Sequence, residues 1–258
     1  MTTTDEYVHR AIESEVAWHV AGLDILGVPW ERAGALWRRT APSTNVFLTA
    51  MSLDRRVTAE QLAASVASVH GDVGVLDSFD SLDLSVFGYR KLWTEPWMLR
   101  RAGPFGSFGA PPPGFTVTRA IGPDEIAAFK ETVFRGMNDD WDEAWRGTVH
   151  PPTTGQFDTL RLLLGRANDE PVTAGLAVPF ADGVLVSGIA TPAPLRRRGY
   201  GAAITRAVCE TQPGDDAYLR ASAMGRPVYE RLGFVALGSA TLWIRGGSSP
   251  SPVLTDGS

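Results

Sequence analysis

Apolar residues at Val8, Ile12, Val16, Val20 and Leu23 recur at three- and four-residue steps, the spacing of a helix with one buried face. A second helix is expected over Glu31–Arg39, then a strand over Asn45–Met51 and a helix over Ala59–Val69 with Thr58 as its cap. Val73–Leu76 reads as a strand, Leu82–Val86 as a short helix and Trp97–Arg101 as a strand. The run from Gly103 to Gly114 is too dense in glycine and proline for helix or strand, so it reads as a linker. Beyond it, Phe115–Arg119 predicts a strand, and Ile126, Phe129 and Val133 mark a helix started at Pro123. Strands follow at Leu160–Leu164 and Val172–Phe180, and Ala181-Asp182-Gly183 turns into a third that begins at Val184. A helix from Gly201, a strand at Ala217–Ala221, a short helix at Arg226–Leu232 and strands at Phe234–Leu237 and Thr241–Ile244 complete the pattern.

This order implies a mixed α/β sheet with helices on both faces. The chain divides into an α/β region at 1–102, the linker at 103–114, a domain at 115–245 and a tail at 246–258 expected to be disordered. From Asn45 onward the first region repeats the order that follows Val184, with Gly88-Tyr89 standing where Gly233-Phe234 stands later. It therefore reads as a degenerate partial repeat. Ser52-Leu53-Asp54-Arg55-Arg56 replaces the later glycine turn, so no second phosphate site is expected there. Trp93 and Trp97 are expected as exposed aromatics at a seam between the halves or at a homodimer interface.

Composition narrows the class. With 44% hydrophobic and 21% charged residues among 258, a sizeable core is within reach. A net charge of -5 argues against nucleic acid as the main partner, because binding phosphate backbones needs a basic surface. One cysteine, Cys209, excludes an intrachain disulfide and fits a reducing cytoplasm; on its helix beside Ile204 and Val208 it reads as a small core residue. No apolar run approaches the ~20 residues that span a bilayer, and the acidic start is no signal peptide, so a cytoplasmic protein without membrane contact is expected. His9, His19, His70 and His150 are scattered without ligand spacing, so no metal is expected.

Chemistry concentrates in Arg196-Arg197-Arg198-Gly199-Tyr200-Gly201, between a strand and the helix that Ala202 continues. A glycine turn opening a helix leaves backbone N–H groups uncovered, and the helix dipole adds positive potential, so the turn suits a phosphate. Just upstream, Ile189-Ala190-Thr191 ends its strand at Pro192. A strand stopped by proline parts from its neighbour and can offer an amide to a bound carbonyl.

With Tyr229-Glu230-Arg231-Leu232-Gly233-Phe234 added, the second half resembles the GNAT superfamily of acetyl-CoA-dependent N-acetyltransferases. The resemblance covers about half of the chain. It implies that Arg196, Gly199 and Gly201, with the amides of Arg197, Arg198, Tyr200 and Ala202, hold the coenzyme A pyrophosphate. It also implies that Ile189–Thr191 line the pantetheine arm and thioester. Tyr229 becomes the general acid that protonates the departing sulfur. Ser222 stands where many relatives carry an asparagine bonded to that arm. The implied reaction moves acetyl from acetyl-CoA to a primary amine of a small molecule or peptide. The alternatives are an acyl-CoA-binding module without turnover and a transferase for longer acyl groups.

Relatives often place a basic glutamate on the strand before the tyrosine helix, but Ala217-Tyr218-Leu219-Arg220 has no carboxylate. Met137–Trp145, with four carboxylates and two tryptophans, offers charge and ring faces for a cationic acceptor, and His150 is a further candidate base. No base is assigned on sequence grounds.

Overall fold

The computed structural model describes residues 3–43, 48–137 and 159–246. Asn45–Phe47, the acidic stretch from Asn138 on, His150 and the tail from Gly247 lie outside the described residues.

Helix α1 (Thr3–Leu26) buries Val8, Ile12, Val16 and Leu23 as the spacing predicts. The helix expected over Glu31–Arg39 is instead a hairpin, β1 (Trp30–Ala33) and β2 (Leu36–Arg39). Gly34 explains the difference: at φ +62 it takes the first position of a two-residue hairpin turn, which a helix interior could not accommodate. Next come β3 (Ala50–Ser52), α2 (Ala59–Ser65) and β4 (Val73–Asp77). Thr58 and Gln61 form a capping box at α2: the Gln61 N–H donates to Thr58 Oγ1 and the Thr58 N–H donates to Gln61 Oε1. A 3-10 turn at Ser85–Phe87 leads into β5 (Arg90–Arg100), which starts well before the strand expected at Trp97.

The second half contains β6 (Phe115–Arg119), α3 (Pro123–Met137), β7 (Arg161–Ala167), β8 (Glu170–Phe180) and β9 (Gly183–Ala190). After them run α4 (Tyr200–Cys209), β10 (Ala217–Arg220), α5 (Arg226–Arg231) and β11 (Val235–Arg245). The two last strands expected from sequence are one, because a register shift at Gly238 absorbs the irregularity without ending the pairing to β5.

Among the described residues, eleven strands form one sheet in the order β1-β2-β3-β4-β11-β5-β10-β9-β8-β7-β6. From either edge the sheet runs antiparallel into a parallel strand–helix–strand unit, β3-α2-β4 on one side and β9-α4-β10 on the other. At the centre the terminal strands are exchanged: β11 lies beside β4, and β5 beside β10. α1 and α3 cover one face, and α2, α4 and α5 cover the other. Trp93 and Trp97, expected as exposed, are 6% and 0% exposed. Both pack under α1, and Trp97 Nε1 donates to the Ser78 carbonyl, because β5 is an interior strand rather than an edge.

Candidate active site

The parallel pair β9/β10 is short. Only Ala217↔Val184 and Tyr218↔Leu185 are in register, after which the strands part. β9 also bends here: Gly188 and Ile189 face the single residue Gly175 of β8, and Gly188 takes φ +58 to make the bulge. A cavity of about 680 Å³ lies at this opening, of the size that holds small-molecule ligands.

One end of the cavity is the glycine turn. Gly199 (φ +87) caps α4, and Arg197 (φ +63) is the one non-glycine left-handed residue of the turn. The first N–H groups of a helix have no acceptor within it, so Tyr200, Gly201 and Ala202 direct theirs toward the opening. Gly201 has only the Thr191 hydroxyl near the place of a Cβ, which leaves the approach open. Arg196 braces the turn: its Nε donates to the Thr191 carbonyl at 3.0 Å and its Nη2 to the Gly136 carbonyl at 3.1 Å. The turn is thereby tied to the ends of β9 and α3. Tyr200 stacks on Phe115 with ring centroids 5.5 Å apart.

The other end is α5. The Tyr229 ring lies over Gly225, where a Cβ would sit 2.7 Å from a ring carbon, and packs edge-on against Phe234. Burial, then the negative charge of Glu95, push its phenol pKa well above the ordinary value. Ser222 Oγ accepts from the Gly225 N–H at 3.2 Å, fixing the bend into α5 and leaving its own proton to donate.

Of the residues singled out in the sequence, Ile189, Thr191, Arg196, Arg197, Gly199, Tyr200, Gly201, Ala202, Ser222 and Tyr229 line the cavity. Ala190 and Arg198 do not. The Ala190 side chain is buried beneath α3 and its carbonyl accepts from Thr173 Oγ1, while Arg198 is exposed and its Nη2 donates to the Pro194 carbonyl. The Gly/Pro stretch forms part of the wall: Phe108 lines the cavity under the Arg231 guanidinium, and Pro112 lies 3.5 Å from where a Cβ on Gly199 would be.

Sequence reasoning missed Glu95. It sits on β5, in the other half of the chain, yet it is buried and reaches the same cavity. Its neighbour is Arg220, at the end of β10. The signal was present only as an isolated glutamate in an apolar strand, Trp93 to Trp97, where one charge among buried positions is costly without a purpose.

No described helix is long and apolar enough to cross a membrane, and among the described residues no group of three or more His, Cys, Asp or Glu could hold a metal ion.

This fold, a sheet that opens between two parallel strands, is shared with solved GCN5-related N-acetyltransferases. The chain is similar in structure to a GCN5-related N-acetyltransferase from Kribbella flavida (TM-score 0.66, 17% identity), with 93% of this chain and 96% of that one covered. A second such protein, from Sphaerobacter thermophilus, superposes with a TM-score of 0.52 at 17% identity over 84% and 79% of the two chains. A conserved protein of unknown function from Staphylococcus epidermidis matches nearly as well as the first (TM-score 0.65, 11% identity, 86% and 95% covered). No family model matches the sequence, and no curated protein matches it. At these identities the fold is what is shared, and it is shared over both halves of the chain.

Proposed function

We propose that this chain is an acyltransferase that moves the acetyl group of acetyl-CoA to a primary amine of a small molecule or peptide. The observation that supports this most strongly is the single cavity joining the α4 turn to Tyr229 through the parting of β9 and β10. A pyrophosphate fits the turn, where amide donors and the dipole of a ten-residue helix meet it. The pantetheine arm fits along Ile189–Thr191 as an added strand, with Ser222 opposite. On this reading the thioester lies beneath Tyr229.

The amine nitrogen attacks the carbonyl carbon, forming a C–N bond and a tetrahedral adduct. As the C–S bond breaks, its electron pair goes to sulfur, which takes the Tyr229 hydroxyl proton. A phenol is already protonated at neutral pH, and burial, which raises the Tyr229 pKa, extends that to higher pH. A backbone amide near Ile189 or Ala190 polarises the carbonyl as the adduct forms.

Acetyl-CoA should raise the melting temperature of the protein, and an amine panel should release thiol at a rate that falls with Tyr229→Phe. Tight coenzyme A binding with no turnover, and no effect of Tyr229→Phe on any rate, would instead make the chain an acyl-CoA-binding module. Acyl-chain profiling separates acetyl from longer donors.

A further inference from the structure

A second cavity, of about 320 Å³, opens where β5 leaves the sheet and β11 enters it. Three arginines line it, Arg100, Arg101 and Arg231, and among the described residues no carboxylate does. Arg101 is answered by Asp216, whose Oδ1 lies 3.2 Å from its Nε. Arg100 and Arg231 have only neutral partners among the described residues. Arg100 donates to the carbonyls of Leu232 and Arg101 at 3.1 Å, Gly103 at 2.9 Å and Pro104 at 3.0 Å, and the Phe105 ring covers one face of its guanidinium. Arg231 donates to the Pro227 carbonyl at 3.2 Å and lies over the Phe108 ring. The carboxylates on the adjoining helices are engaged elsewhere: Glu230 holds Arg226 at 2.7 Å and Glu210 holds Arg206 at 2.8 Å.

Carbonyls satisfy the N–H groups of a guanidinium without cancelling its charge. With Asp216 set against Arg101, Arg100 and Arg231 leave two positive charges at this cavity, in a chain whose net charge is -5. Arg100 is 8% exposed, so water screens its charge weakly. Leu99, Leu232 and Val235 make the rest of the wall apolar, and Val235 is 57% exposed. A phosphate monoester on a small apolar body fits this chemistry: it carries a charge of about -1.5 to -2 at neutral pH, and guanidinium forks match its oxygens. Arg231 lines the large cavity as well, so an anion held here lies beside the donor site.

We infer that this second cavity binds a phosphate monoester through Arg100 and Arg231, with the ester's apolar body against Val235. The same chemistry has two sources. One is the 3′-phosphate of the donor itself, reaching past Arg231; the other is a separate phosphorylated small molecule. The site does not rest on the acetyl-transfer reading above; only its donor source does.

The test uses the full chain, with phenyl phosphate, acetyl-CoA and acetyl-3′-dephospho-CoA as probes in calorimetry. Val235 lines the second cavity and not the large one, and its exposure lets the residue change without disturbing the core. Val235→Glu sets a carboxylate among the arginines, and Val235→Gln has the same shape without the charge. Phenyl phosphate should bind the wild type and Val235→Gln within about 3-fold of each other, and Val235→Glu about 10-fold or more weakly, the scale of a charged hydrogen bond lost. If the donor supplies the phosphate, the wild type prefers acetyl-CoA to its dephospho form by about 10-fold, Val235→Glu removes the preference, and acetyl-CoA displaces phenyl phosphate. Equal affinity for the two thioesters, with phenyl phosphate binding unchanged by saturating acetyl-CoA, assigns the cavity to a separate ligand. A wild type that binds phenyl phosphate and neither thioester overturns the acetyl-transfer reading and leaves the cavity to the Val235 pair. The inference is overturned if Val235→Glu binds every probe as the wild type does, if Val235→Gln loses as much as Val235→Glu, or if the wild type neither binds phenyl phosphate nor distinguishes the thioesters.

Discussion

Tyr229 is held in its neutral form by its surroundings: burial in the apolar wall first, then the negative charge of Glu95, with Cys209 adding to both. Because the shift is upward, the phenol keeps its proton as pH rises through the ordinary phenol value of about 10, and is lost as an acid only above that. The kcat of the wild type should therefore hold level from about pH 8 to about pH 10, whereas an unperturbed phenol would begin to fail in that range. Tyr229→Phe should lower kcat by about 100-fold and leave acetyl-CoA affinity nearly unchanged. A pH–rate profile and calorimetry on the variant check both. Cys209 makes the opposite kind of statement: burial pushes its thiol up to about 12, so it should resist a disulfide reagent until the protein unfolds. Counting reacted thiols with and without denaturant decides this. At this scale the turn and Tyr229 were legible because each is a local string whose geometry follows from its own residues. Glu95 was not, because what brings it to Tyr229 is sheet order, and no neighbouring residue encodes that.

Elements position the site through close approaches. Gly136, near the end of α3, has Thr191 N, Ala190 Cβ and the Ala190 carbonyl carbon all within 2.9 Å of where a Cβ would be. Two of these three are backbone atoms that no rotamer change can move. Its carbonyl also receives Arg196, so the end of β9, the α3 terminus and the turn before α4 are clamped at one point. Gly136→Ala should destabilise the protein by about 1–3 kcal/mol and weaken acetyl-CoA binding together, seen as a lower denaturation midpoint and a higher Kd. If the midpoint falls but Kd does not, the clamp does not hold the turn. Most elements were legible because their apolar periods agree with their burial, as in α1, β8 and β9. The β1–β2 hairpin was not: Trp30 to Arg39 has helix formers on either side of Gly34, and the deciding fact is the positive φ of that one residue. Likewise Gly238 and Ser239 read as a break in the last strand. Pairing with β5 carries β11 through them, with Gly238 facing Val8 of α1.

At the scale of the whole molecule, the exchange of β5 and β11 decides how the chain folds. β10 finds its second neighbour only in β5, and β11 lies between β4 and β5, both from the first half. α1 adds to this by packing on β5 and β8 to β11 at once. Neither half can complete its sheet alone: a fragment of 115–258 would leave the β5-facing edge of β10 unpaired and β11 with no partner, an arrangement prone to aggregation. The Gly/Pro stretch at 103–114 covers α4 and α5 in the meantime, with Phe105 lying 3.5 Å from the Arg100 guanidinium. The intact chain should therefore unfold in one transition, with tryptophan fluorescence and far-ultraviolet circular dichroism giving the same midpoint. Fragments 1–102 and 115–258 expressed apart should each lack a cooperative transition. Expressed together, they should recover a complex that binds acetyl-CoA, since the interface between them is sheet pairing rather than a covalent link. A 115–258 fragment that folds cooperatively and binds acetyl-CoA by itself would show that the exchanged strands are dispensable. In that case Glu95 could not owe its place in the cavity to the folding of the whole, and the first half would be an addition to a finished enzyme. The register of β5 with both β10 and β11 argues the other way: the strand that completes the sheet is the same strand that carries the carboxylate.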